Sequence, residues 1–343
     1  MTKPWIRRKR NAIPLAFLIA GIVVAIVAYV SPWPSALLVR GVFRALGDRT
    51  TAEMQKHVPP AGSVDATLGV QYAPGGVDTQ LDLFSPAGSA VPLPLVVWIH
   101  GGAWIEGDKE SRDPYAQIIA AKGYTVASLN YTVGPDAIYP TAIRQLNDAL
   151  GFLADNAARY RVDPARIVIA GDSAGAQLAS QLATMITNPA YATLVGIRPA
   201  LSPDQVRGVI LDCGVYDVSS IPNAPGIEGW GFRTALWAYL GSKDWAHTAG
   251  GDQMSTIDDV TAAFPAAWIS GGNADALTAG QSKPLAAKLS GLGVPVTELF
   301  YPDGHTPALG HEYQFHLDQK DAQHALRSTI AWLGTVTADQ TGR

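Results

Sequence analysis

The stretch VIAGDSAGAQLAS, residues 168–180, decides how this chain is read. Its first residues continue the apolar run RIVIA, which has the length and β-branched content of a buried strand, and its last open a small-residue helical pattern. Between them Ser173 stands at a corner flanked by Gly171 and Gly175. A serine so placed sits on a tight strand-to-helix turn that holds its hydroxyl clear of the sheet. The glycines let strand and helix backbones meet without Cβ clashes, and the helix start favours negative charge developing beside it. A free-floating glycine-rich helix start can carry the same letters. The strand before and the helix after are what point to a nucleophile.

The same alternation extends outward. Upstream, LDLFSP, LPLVVWIH and YTVASLNY read as strands, YAQIIAAKG as a helix, and IRQLNDALGFLADNAARY as one long helix. Downstream, VRGVILDCG, AAWISGG and VPVTELFYP read as strands, with KPLAAKLSGLG and AQHALRSTIAWLG as helices. Short apolar strands between helices specify a mostly parallel sheet covered on both faces, an α/β catalytic domain over residues 65–335 with a tail at 336–343. No internal repeat is visible, which argues against a propeller or solenoid. The alternation lapses between 214 and 261, where aromatic residues crowd. That density suits short helices packed on the core or the wall of an apolar pocket.

A serine hydroxyl needs a base, an orienting acid and an oxyanion hole. LVVWIHGGAW places His100, Gly101, Gly102 and Ala103 straight after a strand, the position of an HGGG-type oxyanion loop. With DPARIVIAGDSAG from Asp163, this chain resembles the α/β-hydrolase esterases of the hormone-sensitive-lipase and bacterial feruloyl-esterase-like groups, over roughly residues 65–333. The resemblance implies an α/β-hydrolase fold and Ser-dependent acyl transfer, with no metal and no cofactor. By it the N–H groups of Gly102, Ala103 and Ala174 would receive the oxyanion, and His100 would be structural. Ala103 replaces a glycine common in the relatives; it keeps the N–H, but its methyl narrows the loop against bulky esters.

The acid and base follow in the order Ser…Asp…His. Asp275 lies after a strand in GNADAL, residues 272–277, matching the G-x-x-D-x-L turn where related esterases carry their acid. For the base, YPDGHTPALGHEYQFHL offers His305, His311 and His316. His305 lies 30 residues after Asp275, near the spacing of the relatives. His311 opens HEYQF, which resembles the H-x-(F/Y/W)-Q that often follows the base in this group, and its distance to the closing helix also fits. The reading favours His311, with His305 as the alternative base, otherwise holding the loop or shaping the entrance; His316 is expected at the surface. Trp104, Trp230 and Trp237 are the candidate substrate-pocket aromatics.

Composition bounds the remaining choices. The 343 residues are 48% hydrophobic and 16% charged, with a net charge of −4, which offers no basic face for nucleic acid. Cys213 is the single cysteine, so an intramolecular disulfide and a Cys-based zinc site are excluded; it reads as a small buried hydrophobe. Lys3, Arg7, Arg8, Lys9 and Arg10 precede a segment without charge from 11 to 39, whose most apolar part, 13–30, reaches the short end of a membrane span. The exit AYVSP is a poor cleavage site, which favours an uncleaved transmembrane anchor over a signal peptide. The RRKRN run lacks the hydrophobic continuation of a twin-arginine signal. The basic tail biases the N-terminus to the cytoplasm and the catalytic domain to the outer side.

Residues 1–35 then read as tail and anchor, and 36–64 as a juxtamembrane helix and linker. The prolines of SPWPS break the first helix. The next helix, 36–54, is amphipathic and suits either the membrane surface or the flank of the catalytic domain. The expected function is a membrane-anchored carboxylesterase acting on a small-molecule ester. An amidase resembling arylformamidases is the enzymatic alternative. A binding protein on a dead hydrolase fold would need a broken triad, and every part is present.

Overall fold

Eight strands form one sheet in the computed structural model, which describes residues 5–223 and 226–339. They are β1 (Val64–Gln71), β2 (Gln80–Pro86), β3 (Leu93–Ile99), β4 (Thr125–Leu129), β5 (Val162–Asp172), β6 (Val206–Asp212), β7 (Ala266–Gly271) and β8 (Val296–Phe300). Across the sheet the order is β1-β2-β4-β3-β5-β6-β7-β8. The pairs β1–β2 and β2–β4 are antiparallel and all others parallel, the mostly parallel sheet expected.

The helices are α1 (Trp5–Val30), α2 (Trp33–Gln55), α3 (Asp113–Ala120), α4 (Thr141–Asp155), α5 (Ala157–Tyr160) and α6 (Ala174–Thr187). There follow α7 (Pro189–Val195), α8 (Gly226–Leu240), α9 (Ala249–Met254), α10 (Lys283–Gly291) and α11 (Lys320–Val336). Helices on both faces explain why the central strands lack a polar side. Leu95, Val97 and Ile99 of β3 enter one core with α4, α6, α8 and α10, whereas Val96 and Trp98 enter a second core with α3 and α11. β5 divides likewise, Ile167 and Ile169 against Val168 and Ala170.

The long helix expected before β5 is two helices. Asn156 ends the first by donating from Nδ2 to Phe152 O at 2.8 Å. In the aromatic segment Tyr216, Tyr239 and Trp245 are buried core residues, while Trp230, Phe232 and Trp237 are only partly buried.

α1 and α2 meet at an 83° bend. Pro32 cannot continue the hydrogen bonding of α1, whereas Pro34 falls in the first turn of α2, where no donor is needed. α2 covers the flank of the catalytic body: Ala36 and Val39 join one core and Met54 the other. Full burial of Val39 and Met54 contributes about 1.5–3 kcal/mol each. The Arg40 guanidinium donates to Ile105 O and Gly134 O and pairs with Asp136. Glu53 accepts from Asp318 N at 2.9 Å and lies 3.0 Å from His316 Nδ1, so His316 is half-buried and tied to this helix rather than free at the surface. Among the described residues no single helix is long and apolar enough to cross a membrane; residues 20–30 and α2 meet that test only together.

Candidate active site

Ser173 stands between β5 and α6 with φ 51° and ψ −118°, a left-handed conformation that costs on the order of 1–3 kcal/mol in a non-glycine residue. Its surroundings enforce it. Ser173 N donates to Asp212 O at 2.8 Å, and α6 packs so closely on β3 that a Cβ on Gly175 would stand 2.0 Å from Ile99 O. The sequence G-x-S-x-G is thus the local condition for raising Oγ over the sheet.

The loop after β3 carries three successive left-handed residues, Gly102 (φ 95°), Ala103 (φ 52°) and Trp104 (φ 60°). Among the described residues the N–H groups of Gly102 and Ala103 have no acceptor, and Ala174 is the first residue of α6, whose N–H has none within the helix. All three are available to an external oxygen. The loop is braced from several sides. His100 is buried and stacks on Tyr131 at 4.3 Å, and the Tyr131 hydroxyl donates to His100 O at 3.1 Å. Gly101 N donates to Asp172 Oδ2 at 2.9 Å.

Two loops at the strand ends bring the other groups in. Ala274 N donates to Leu309 O, and Leu309 N to Asn273 Oδ1, both at 2.9 Å. This stitches the loop after β7 to the loop after β8. His311 Nδ1 then lies 2.8 Å from Asp275 Oδ2, and His311 Nε2 lies 2.9 Å from Ser173 Oγ. Leu277 N holds the other Asp275 oxygen at 2.9 Å. With Nδ1–H donating to Asp275, Nε2 is the nitrogen left to accept the serine proton. His305 is directed elsewhere: its ring packs on Tyr301 at 4.5 Å and its Nε2 lies 3.2 Å from Asp321. Its carbonyl accepts from Asn273 at 3.1 Å, so the residue holds the loop.

Cys213, at the end of β6, is fully buried in contact with His311 and has φ 45°. Burial pushes its thiol up to about 12, so it stays neutral near neutral pH. Burial also opposes charge on His311, but the adjoining Cys213 sulfur and the Asp275 carboxylate together raise the imidazolium above the ordinary histidine value. Among the described residues, Cys213, Asp275 and His311 are the group whose donor atoms lie near enough together, within 4.8 Å, for a metal ion. Both His311 nitrogens are already engaged by Asp275 and Ser173.

A buried ionic cluster beneath the site was not legible in the sequence. Arg112 donates from Nε to Asp172 Oδ1 at 2.9 Å and from Nη2 to Asp172 Oδ2 at 2.7 Å, with Glu312 Oε2 at 3.2 Å from the same Nη2. Asp172 also accepts from Trp98 Nε1 at 2.9 Å. Burial raises Asp172, but Arg112 holds it below the usual carboxylate range; Glu312 is pushed up by burial and by Asp172 against the pull of Arg112. Asp172 neighbours Ser173 and Glu312 neighbours His311, so this cluster fixes both segments. Its only trace in the sequence is the x of G-x-S-x-G being an acid.

Of the candidate pocket aromatics, Trp104 is wholly buried, stacked on Tyr239 at 5.9 Å and donating to Gln177 Oε1 at 3.0 Å. It offers no surface to a ligand and stands behind the loop after β3, because its left-handed backbone turns the indole into the core. Trp230 and Trp237 are partly buried against the same core.

A family model described as BD-FAE matches residues 81–289, more than half of the 343-residue chain. The chain belongs to the BD-FAE family. This BD-FAE protein is 30% identical to Esterase LipQ of Mycobacterium tuberculosis over 162 residues, 46% of this chain and 37% of that protein. It is 38% identical to Carboxylesterase NlhH of the same species over 94 residues, 27% and 30% of the two chains. The BD-FAE chain thus spans less than half the length of these curated relatives. In structure it resembles Esterase B of Lactobacillus rhamnosis HN001, with a TM-score of 0.75 at 21% identity over 89% of this chain and 96% of that one. It also resembles the hyperthermophilic esterase of Pyrobaculum calidifontis, with a TM-score of 0.68 at 21% identity over 88% and 94%. The likeness establishes the α/β-hydrolase fold.

Proposed function

We propose that this BD-FAE protein is a membrane-anchored serine carboxylesterase acting on small to medium acyl esters. The observation that carries the reading is His311, whose two nitrogens reach Ser173 Oγ at 2.9 Å and Asp275 Oδ2 at 2.8 Å. Ser173 Oγ attacks the ester carbonyl carbon as its proton passes to His311 Nε2, and Asp275 holds the tautomer and stabilises the imidazolium. The N–H groups of Gly102, Ala103 and Ala174 bind the oxyanion. The tetrahedral adduct collapses to an acyl-enzyme as His311 returns the proton to the leaving alkoxide. Water, deprotonated by the same nitrogen, then attacks the acyl carbon, and His311 returns that proton to Ser173 Oγ as the acid is released. Esterase relatives support the ester class. Trp230 and Trp237 are proposed to bound the acyl site, with Trp104 backing the loop.

The anchor is proposed as the apolar part of α1, residues 13–30, whose 18 residues span about 27 Å at 1.5 Å per residue, the short end of a membrane span. The basic residues before the apolar segment support a cytoplasmic N-terminus and a catalytic domain on the outer side. The test is hydrolysis of p-nitrophenyl esters from acetate to dodecanoate, beside aryl formamides, by the full chain. Turnover of short and medium esters exceeding that of the amides is expected; amide turnover alone makes the protein an amidase.

Asp275→Asn is expected to lower kcat by about 10⁴-fold, by stabilising the wrong tautomer. The pH profile provides a second check. Protonated His311 cannot accept the serine proton, so kcat/KM should rise with pH through a value above about 6.5. The sign for stability is opposite. A histidine raised in the folded state stabilises below its unfolded value, and that contribution is lost as pH rises through the folded value. In Asp275→Asn the acid limb of the residual activity should move to lower pH; an unmoved limb would mean that Asp275 does not set it.

A further inference from the structure

We infer that α2 is an interfacial helix: its inner face supports the catalytic domain and the outer face of its first half lies on the lipid bilayer. This rests on the proposed anchor. The inward positions Ala36, Val39, Arg40, Phe43 and Met54 recur at helical spacing and pack on the catalytic body. The opposite side is not uniformly polar. Trp33, Leu37, Leu38, Val42 and Leu46 are 41–62% exposed. Beyond them the outer positions turn polar, with Asp48, Arg49 and Gln55 exposed. The helix is thus apolar on its outer side only in the half next to the end of α1.

The bend identifies the occupant. α1 and α2 meet at 83°, so an α1 running along the membrane normal lays α2 nearly parallel to the membrane plane. The exposed end of α1, with Val27 and Val30, continues into the same apolar surface. The join is fastened, since the Lys243 ammonium donates to Tyr29 O and lies 3.6 Å from the Tyr29 ring centroid. Arg44, 69% exposed at its side chain although its Nε lies 3.3 Å from Glu106 Oε1, and the exposed Arg49 flank the stripe where headgroup phosphates would lie. An apolar face bearing Trp and Leu, edged by arginines, is the composition of a helix lying in the interface. The consequence reaches the site. Arg40 on the inner face bonds Ile105 O, three residues after Gly102, so the membrane-facing helix also braces the oxyanion loop.

Cys213 is buried, so a cysteine introduced on the outer face is the one that labels. Leu38→Cys, Val42→Cys and Ala52→Cys, in the full chain and each carrying an environment-sensitive fluorophore, would be reconstituted in phosphatidylcholine–phosphatidylglycerol vesicles. All three should keep wild-type turnover of a soluble ester, which shows that they fold. The expected result is quenching by doxyl lipids at 38 and 42 with iodide quenching roughly fivefold weaker than at 52, as for an apolar face set 5–10 Å into the boundary. Equal iodide access at all three positions, in protein that resists carbonate extraction, overturns the inference while leaving the anchor intact. Protein released by carbonate overturns the anchor, and the inference with it. Protection at 38 and 42 that persists in detergent and grows with protein concentration makes the occupant a second copy, and also overturns it.

Discussion

Ser173→Ala and His311→Ala are each expected to lower kcat by on the order of 10⁶-fold, and the double variant no further, because residues acting as one relay lose their whole effect when either is removed. On the proposed mechanism, the serine keeps its proton without His311, and the histidine has nothing to activate without Ser173. A residue of about 10³–10⁴-fold over water should survive in every variant, since the loop amides still bind the developing oxyanion. His305→Ala is the control. Its imidazole faces Tyr301 and Asp321, so its loss should leave the rate nearly unchanged. Steady-state kinetics on a soluble ester, with circular dichroism to verify folding, checks all four proteins. Collapse in His305→Ala with activity kept in His311→Ala would reverse the assignment of the base.

Arg112→Met is expected to destabilise the protein by about 3–5 kcal/mol, the cost of leaving a buried charge without its partner. Asp172 is 0% exposed at its side chain and Arg112 only 6%, so no solvent takes over the role of the guanidinium. The loss should depend on pH. Asp172, held low in the fold, contributes stability above its unfolded value that is lost as pH falls through its folded value. Glu312, raised, contributes below its unfolded value and loses that contribution as pH rises. Without Arg112 both carboxyls rise and can escape the penalty only by protonation. The deficit measured by urea denaturation should therefore be larger at pH 7 than at pH 5. An equal deficit at both values would mean that lost packing against Phe315, which the guanidinium covers at 4.4 Å, dominates instead.

This second effect is also where reading the sequence stopped. The strand and helix series, the elbow and the loop after β3 were legible because each is a local pattern. Apolar period, glycines at a close approach and a motif of fixed length need no knowledge of distant residues. Asp275 and His311 were legible as the favoured residues on loops, His311 from the residues after it and its distance to the closing helix, with His305 left as the alternative.

Which histidine lies beside Ser173 depends on contacts between segments far apart in the chain. The Asn273 and Leu309 hydrogen bonds set how far the histidine loop folds over the sheet, and they bring His311 to Ser173 while turning His305 to Asp321. Arg112, Asp172 and Glu312 form their cluster for the same reason: the three are 60 to 200 positions apart, and only the meeting of β5 with the loops around it makes them neighbours. The N-terminal region divides likewise. Its apolar run, its basic flank and the proline break were in the sequence, whereas the fold decided that α2 covers the catalytic body. Periodicity reveals that a helix has two faces, but what each face meets is fixed by the shape of the surface to which the chain returns.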